Sequence, residues 1–146
     1  MPNPKMSRPE REAFLAGTHV GVLAVTEPNR GPCAVPVWYR YTAGDVVRIT
    51  VGDGSRKTHL LRAAGRASLC AQEETLPYRY VTVEGPIELV TTDVEDNQRE
   101  MATRYLGPKL GAKYLTANAG ALGTEVMVIL RPERWWSVDF SKVDLG

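Results

Sequence analysis

Two cysteines and two histidines are all that this 146-residue sequence offers in the way of thiol or imidazole ligands. Cys33 and Cys70 stand far apart, each in an apolar run and neither in a CxxC pair, so buried free thiols are expected and a structural metal site is not. His19 and His59 are equally isolated, which leaves a metal centre or an axial haem ligand without a supporting cluster. An excess of either charge is also missing. The 18 Lys+Arg and 17 Asp+Glu leave a formal charge of +1, too weak a field to point to nucleic acid or an anionic membrane. No apolar run is long enough to span a bilayer, and the first twenty residues lack the apolar stretch of a secretory signal, so a cytoplasmic location is expected. No Ser or Cys stands in an elbow or triad pattern, which argues against nucleophilic catalysis. Repeats, low-complexity tracts and linkers are absent from the sequence.

What remains is an ordinary globular composition, 43% hydrophobic and 24% charged, expected to form one domain over residues 1–146 with 1–6 as a loose leader. Ser7-Arg8-Pro9-Glu10 is a capping box that opens a short helix ending at Gly17. Val20 to Thr26 is a buried strand. Cys33 to Tyr41 reads as a second strand, in which Pro36 demands an edge, a bulge or an opening towards a ligand. The turn Thr42–Asp45 joins it to the strand Val46–Val51 as a hairpin. Further strands are expected over Ala67–Gln72, Tyr78–Leu89 with a bend at Gly85-Pro86, Glu125–Leu130 and Trp135–Asp139. A second capping box, Thr92 to Glu95, opens a helix that Gly107-Pro108 breaks. A last short helix follows from Lys109 to Asn118, then a loop over Ala119–Gly123. Six or seven strands at hairpin spacing with a few short peripheral helices make an α+β, mainly β domain, an antiparallel barrel without exposed edges.

One stretch breaks a local rule. Gly52-Asp53-Gly54-Ser55 follows the strand Val46–Val51, and Ser55 is a good helix N-cap. Arg56 and Lys57 then occupy the first turn, where the helix dipole disfavours cations by a few tenths to about 1 kcal/mol. Either this is a solvated helix start that tolerates two cations, or an anion such as phosphate resolves the conflict there.

The order of strand, Gly-rich turn, Ser55-Arg56-Lys57, short helix, Gly65-Arg66-Ala67-Ser68-Leu69 strand and Tyr78-Arg79-Tyr80-Val81-Thr82-Val83-Glu84-Gly85 resembles the pyridoxamine 5′-phosphate oxidase-like split-barrel superfamily, from about Glu10 to Asp139. The resemblance implies a split β-barrel with a flavin at a homodimer interface. Ser55, Arg56 and Lys57 would clamp its phosphate. Val35, Pro36, Val37 and Trp38, with Thr50 and Val51, would form the backbone wall along its rings. Glu12–Leu15, Val20–Ala24, Pro36–Tyr39 and Val83–Gly85 are similar to the actinobacterial branch that uses the deazaflavin F420 in place of FMN. The chain's end, Arg131 to Asp139, has no histidine for a pyridoxamine phosphate, which argues against vitamin B6 oxidation.

The implied activity is an F420-dependent reductase that passes a hydride to an activated, enone-like C=C bond of a small hydrophobic molecule. An FMN oxidoreductase of the same fold or a non-catalytic cofactor binder are the alternatives. Hydride transfer needs few catalytic side chains, because the cofactor carries the reaction. Trp38 and Tyr39 face opposite sides of a strand, so one can line the ring pocket while the other packs in the core; alternatively both simply pack. Tyr80 is a candidate contact to the second subunit's cofactor, and Trp136 a candidate pocket wall. Arg62 and Arg66 are either solvated or turned to the deazaflavin's carboxylate tail. Glu84 either relays a proton or is paired.

Overall fold

The computed structural model describes residues 3–119 and 124–143. Helix α1 (Arg8–Ala16) starts at the expected capping box: Ser7 Oγ accepts the Glu10 amide and the Glu10 carboxylate accepts the Ser7 amide. Eight antiparallel strands follow in one sheet: β1 (Gly21–Val25), β2 (Cys33–Val37), β3 (Arg40–Tyr41), β4 (Val47–Gly52), β5 (Arg66–Gln72), β6 (Arg79–Val90), β7 (Glu125–Leu130) and β8 (Arg134–Asp139). Helix α2 (Arg56–Ala64) links β4 to β5, and α3 (Val94–Asn118) links β6 to β7. The spatial order is β2-β1-β5-β6-β7-β4-β3, with β8 paired to β6. Alternation fills the interior: Leu23 and Val25, Val47, Ile49 and Val51, Leu69 and Ala71, and Val81 and Val83 all face one buried core, which Leu15 and Leu61 of the helices close.

The strands at the two ends of this path, β2 and β3, are consecutive in the chain. The sheet therefore curls until its edges meet across Trp38 and Tyr39, and this is the split of the barrel. Here the structure corrects the expected single strand from Cys33 to Tyr41. Cys33–Val37 pair with β1, and only Arg40 and Tyr41 pair with β4, so the proposed long hairpin is reduced to two residues. The cause is Tyr105 of α3. Its hydroxyl accepts the Tyr39 amide at 3.0 Å and lies 2.6 Å from the His19 carbonyl, standing in for a strand partner. Pro36, which cannot donate to a ladder, does sit on an edge strand.

The β6 bend is real and needs glycine. A Cβ at Gly85 would stand 1.8 Å from the Arg131 carbonyl oxygen, because the β7–β8 connection crosses there, its Arg131 and Glu133 amides donating to the Pro86 and Glu84 carbonyls. Three other expectations change. The leader is tied down from Pro4: Asp139 donates its amide to the Pro4 carbonyl, Met6 donates its own to Ser137 Oγ, and Met6 is buried. Helix α3 begins without the expected capping box, because Asp93 takes a left-handed conformation (φ 59°) and makes no side-chain cap, leaving Glu95 and Asp96 to favour the helix dipole. The cysteines are half-buried rather than fully enclosed, and both are free. Of the loop expected over Ala119–Gly123, residues 120–123 lie outside the described residues. As expected, α3 breaks at Gly107 (φ 82°), and its second arm folds back so closely that a Cβ on Gly111 would meet the Ala102 carbonyl oxygen at 2.8 Å.

Candidate functional site

A cavity of about 540 Å³ opens beside the split, within the size range of small-molecule and cofactor sites. Pro36, Val37 and Trp38 line it from the end of β2, Thr50 from β4 and Lys57 from α2. These are five of the positions that the sequence singled out, and strand pairing alone would not have brought them together. The curled sheet and the return of α3 do so. Val35 and Val51 are not on the wall. Val35 is half-buried against the core and Val51 is buried in it, so only their backbones are available to a ligand.

At the start of α2 the three expected clamp residues separate. Ser55 caps the helix, its Oγ accepting the Thr58 amide at 3.3 Å. Arg56 turns outward to an ion pair with Glu27, in the turn after β1. Lys57 alone faces the cavity, half-buried and in no ion pair among the described residues. The amides of Thr58 and His59 are satisfied by Ser55, whereas those of Arg56 and Lys57 have no hydrogen-bond partner among the described residues. Gly52 and Gly54, expected to supply a tight bend, have no positive φ. A Cβ on either would meet nothing within 4 Å, so the missing side chains leave the approach to these amides open. Two free N–H groups, one unpaired ammonium and an open approach at a helix N-terminus fit a phosphate.

Trp38 and Tyr39 divide as their alternation predicts. Tyr39 is fully buried, donates from its hydroxyl to the Leu15 carbonyl at 2.7 Å, and has its ionisation pushed up by burial. Trp38 reaches the cavity, stacked on Tyr105 (centroids 5.0 Å apart, planes 5° from parallel) and flanked by Tyr114. The remaining wall is one that sequence reasoning missed. Val94, Gln98 and Met101 come from the first arm of α3, Tyr114 and Leu115 from the second, and Glu125 from β7. The 4-, 3- and 4-residue steps of Val94, Gln98, Met101 and Tyr105 mark one helical face, which reads as core until the cavity beneath it is seen. Glu125, an acid opening an apolar strand, was the other available signal. Burial raises its carboxyl above the ordinary glutamate range, partly offset by a hydrogen bond from Gln98. Asn97, on the same helix turn, is fully buried and donates to Thr50 Oγ1 at 2.8 Å.

Several candidates lie elsewhere. Tyr80 and Trp136 face outward from β6 and β8, 36% and 52% exposed, and neither lines the cavity of its own chain. Arg62 pairs with Asp53, and Arg66 with Glu84 and Glu133. Glu84 is thus an ion-paired surface acid rather than a proton relay. His19 stacks on Phe14 and bonds to its carbonyl, with burial pushing the imidazole pKa down, while His59 is exposed on α2.

The sequence pattern of the pyridoxamine 5′-phosphate oxidase family matches residues 7–139. No curated protein matches the chain. Among solved structures, a conserved hypothetical protein from Mycobacterium tuberculosis superposes with a TM-score of 0.75 at 24% identity, over 97% of this chain and 89% of that one. An F420 reductase superposes with a TM-score of 0.61 at 22% identity, over 86% and 94%. An FAD-binding protein from Mesorhizobium loti does so at 0.62 and 21%, over 91% and 92%. At these identities the likeness establishes the split-barrel fold.

Proposed function

The chain belongs to the pyridoxamine 5′-phosphate oxidase family, and from that premise we propose an oxidoreductase that holds F420 in the cavity beside the barrel split. Its second substrate is a small hydrophobic molecule with an activated C=C bond. The observation that carries this reading is the meeting of Pro36, Val37, Trp38 and Thr50 in one cavity with Lys57, which enters no ion pair among the described residues. An apolar wall and an anion-seeking end are what a ring system on a ribityl phosphate requires.

Bound there, the reduced deazaflavin supplies the hydride; the chain's own residues bind, orient and exclude water. Lys57 Nζ and the amides of Arg56 and Lys57 take the phosphate with charge-assisted bonds. Trp38, braced by Tyr105 and Tyr114, gives a rigid aromatic wall, while Val37, Met101 and Leu115 keep water from the reacting face. Glu125 keeps a proton on its carboxyl at the cavity wall more readily than a surface glutamate does.

The reading includes a homodimer. Val22, Tyr80 and Trp136 stand on the outer sheet face, 39%, 36% and 52% exposed. Val22 is paired with Cys70, Cys70 with Thr82, and Thr82 with Trp136, in one row across β1, β5, β6 and β8. Exposed Val22 and Trp136 at the two ends of that row, with Tyr80 two residues along β6 from Thr82, favour burial against a second copy, which would bring Tyr80 and Trp136 to the partner's cavity. A mass near the 16.1 kDa of one chain by light scattering overturns this part.

Titration with F420 and FMN, with the bound species identified by spectrum and mass, tests the cofactor. Micromolar binding of FMN and none of F420 makes the protein an FMN oxidoreductase instead. Tight binding without faster oxidation of reduced F420 across a panel of enones makes it a binding protein.

A further inference from the structure

Arg40, Asn97 and Thr50 form a hydrogen-bonded line from the protein surface to the cavity wall. Arg40 pairs with Glu100 at 3.1 Å and donates from Nε to Asn97 Oδ1 at 2.6 Å. Arginine has no acceptor, so the atom of Asn97 facing it must be the carbonyl oxygen, and the amide orientation is fixed. Asn97 Nδ2 must then be the donor in its 2.8 Å bond to Thr50 Oγ1, and Thr50 accepts. Thr50 has one hydroxyl proton, for which the described residues provide no acceptor, and its side chain lines the cavity. Asn97 is fully buried, so water does not compete for its amide.

We propose that Arg40 and Asn97 are positioning residues that occupy one lone pair of the Thr50 hydroxyl and turn its proton into the cavity, so that the bound ring system meets that proton with an acceptor, a carbonyl oxygen or an unprotonated ring nitrogen. This rests on the cofactor reading above and adds an orientation to it: the carbonyl-bearing edge of the ring faces β4. A threonine without such a partner would have both lone pairs and its proton to offer; here one lone pair is taken by Asn97, and the proton has no acceptor among the described residues.

The test uses the full chain, with FMN and F420 titrated separately. Thr50→Val keeps the side-chain shape and is expected to weaken the cofactor that the wild type binds by roughly tenfold, the scale of one hydrogen bond with its unsatisfied partner, whereas Thr50→Ser binds as the wild type does. Asn97→Asp keeps the contact with Arg40 but accepts the Thr50 proton, and is expected to weaken binding by a similar factor. The double variant Asn97→Asp with Thr50→Val loses no more than Thr50→Val alone, since both act through one proton. Additive losses, or Thr50→Val binding at wild-type affinity, overturn the proposal. A second readout needs neither a cofactor nor the Asn97 variant to fold. In nitrogen-15 spectra of the free protein, one Asn97 side-chain amide proton shifts in Thr50→Val and not in Thr50→Ser, and no shift in Thr50→Val overturns the proposal. A wild type that binds neither cofactor refutes the proposed function and leaves this second readout to decide the orientation.

Discussion

Replacing Lys57 by Met removes the charge while keeping most of the stem, and the structure predicts effects of opposite sign on the free and loaded protein. In the free protein the ammonium sits in the first turn of α2, which has no acidic residue, and it enters no ion pair among the described residues. A cation there opposes the helix dipole by about 0.3–1 kcal/mol. Lys57→Met should therefore raise the melting temperature by roughly 1–4 °C for a chain of this size. With a phosphate present the same ammonium makes a charged hydrogen bond, worth about 1.5–3 kcal/mol, so affinity should fall by about 10- to 150-fold. Scanning fluorimetry with and without cofactor reads both numbers from one preparation, because ligand stabilisation follows the free concentration relative to Kd. A variant that melts lower than wild type when free, and binds the cofactor equally well, would show that Lys57 packs the cavity wall rather than awaiting an anion.

Three other substitutions probe the frame and the cavity. Gly85→Ala sets a Cβ against the Arg131 carbonyl oxygen, so the β7–β8 crossover must shift, and urea titration should show a loss of about 2 kcal/mol or more; a midpoint within error of wild type would contradict the close approach. Tyr105→Phe removes the acceptor of the Tyr39 amide at the split and should destabilise by about 1–3 kcal/mol, again by urea titration. Glu125→Gln addresses pH. Burial raises the Glu125 carboxyl in the folded state, so the folded protein holds that proton more tightly than the unfolded chain. The associated stability is complete below the ordinary glutamate pKa and is lost as pH rises through the folded value. The variant lacks this loss and should gain on the wild type between acidic and neutral pH, measured as the difference in unfolding free energy at several pH values; a constant difference would show that Glu125 does not titrate abnormally.

What the sequence made legible was whatever depends on neighbours along the chain. Alternation of Leu23 and Val25, or of Val81 and Val83, identifies a strand and its inner face without knowledge of its partner. The Ser7 and Ser55 caps and the breaks at Gly65 and Gly107 are settled within four residues. The pattern failed where a distant side chain replaced a backbone partner. Nothing near Tyr39 announces that its amide is taken by Tyr105, 66 residues later, yet that bond splits one apparent strand into two and opens the barrel. The hold on the inner end of the leader was illegible for the same reason, since Met6 is bound by Ser137, while residues 1–2 lie outside the described residues. The α3 part of the cavity wall was illegible because Tyr114 and Leu115 reach it only beyond the break at Gly107, and because helical spacing cannot distinguish a face on a core, such as that of Val94, Gln98 and Met101, from a face on a cavity.

The two adjacent cations at the start of α2 show how far a local conflict can be resolved. Neighbouring residues on a helix leave it about 100° apart, and here Arg56 and Lys57 point to different surroundings. The chain answers one with Glu27 and leaves the other open. That does not remove Arg56 from a phosphate. Its ion pair is 57% exposed on the arginine side, and such pairs are worth about 0–1 kcal/mol, less than a bidentate guanidinium–phosphate pair can supply. On the proposed reading, Glu27 would therefore cost little to displace, and a cofactor affinity left unchanged by Arg56→Met would show that Arg56 stays with Glu27 and takes no part in the site.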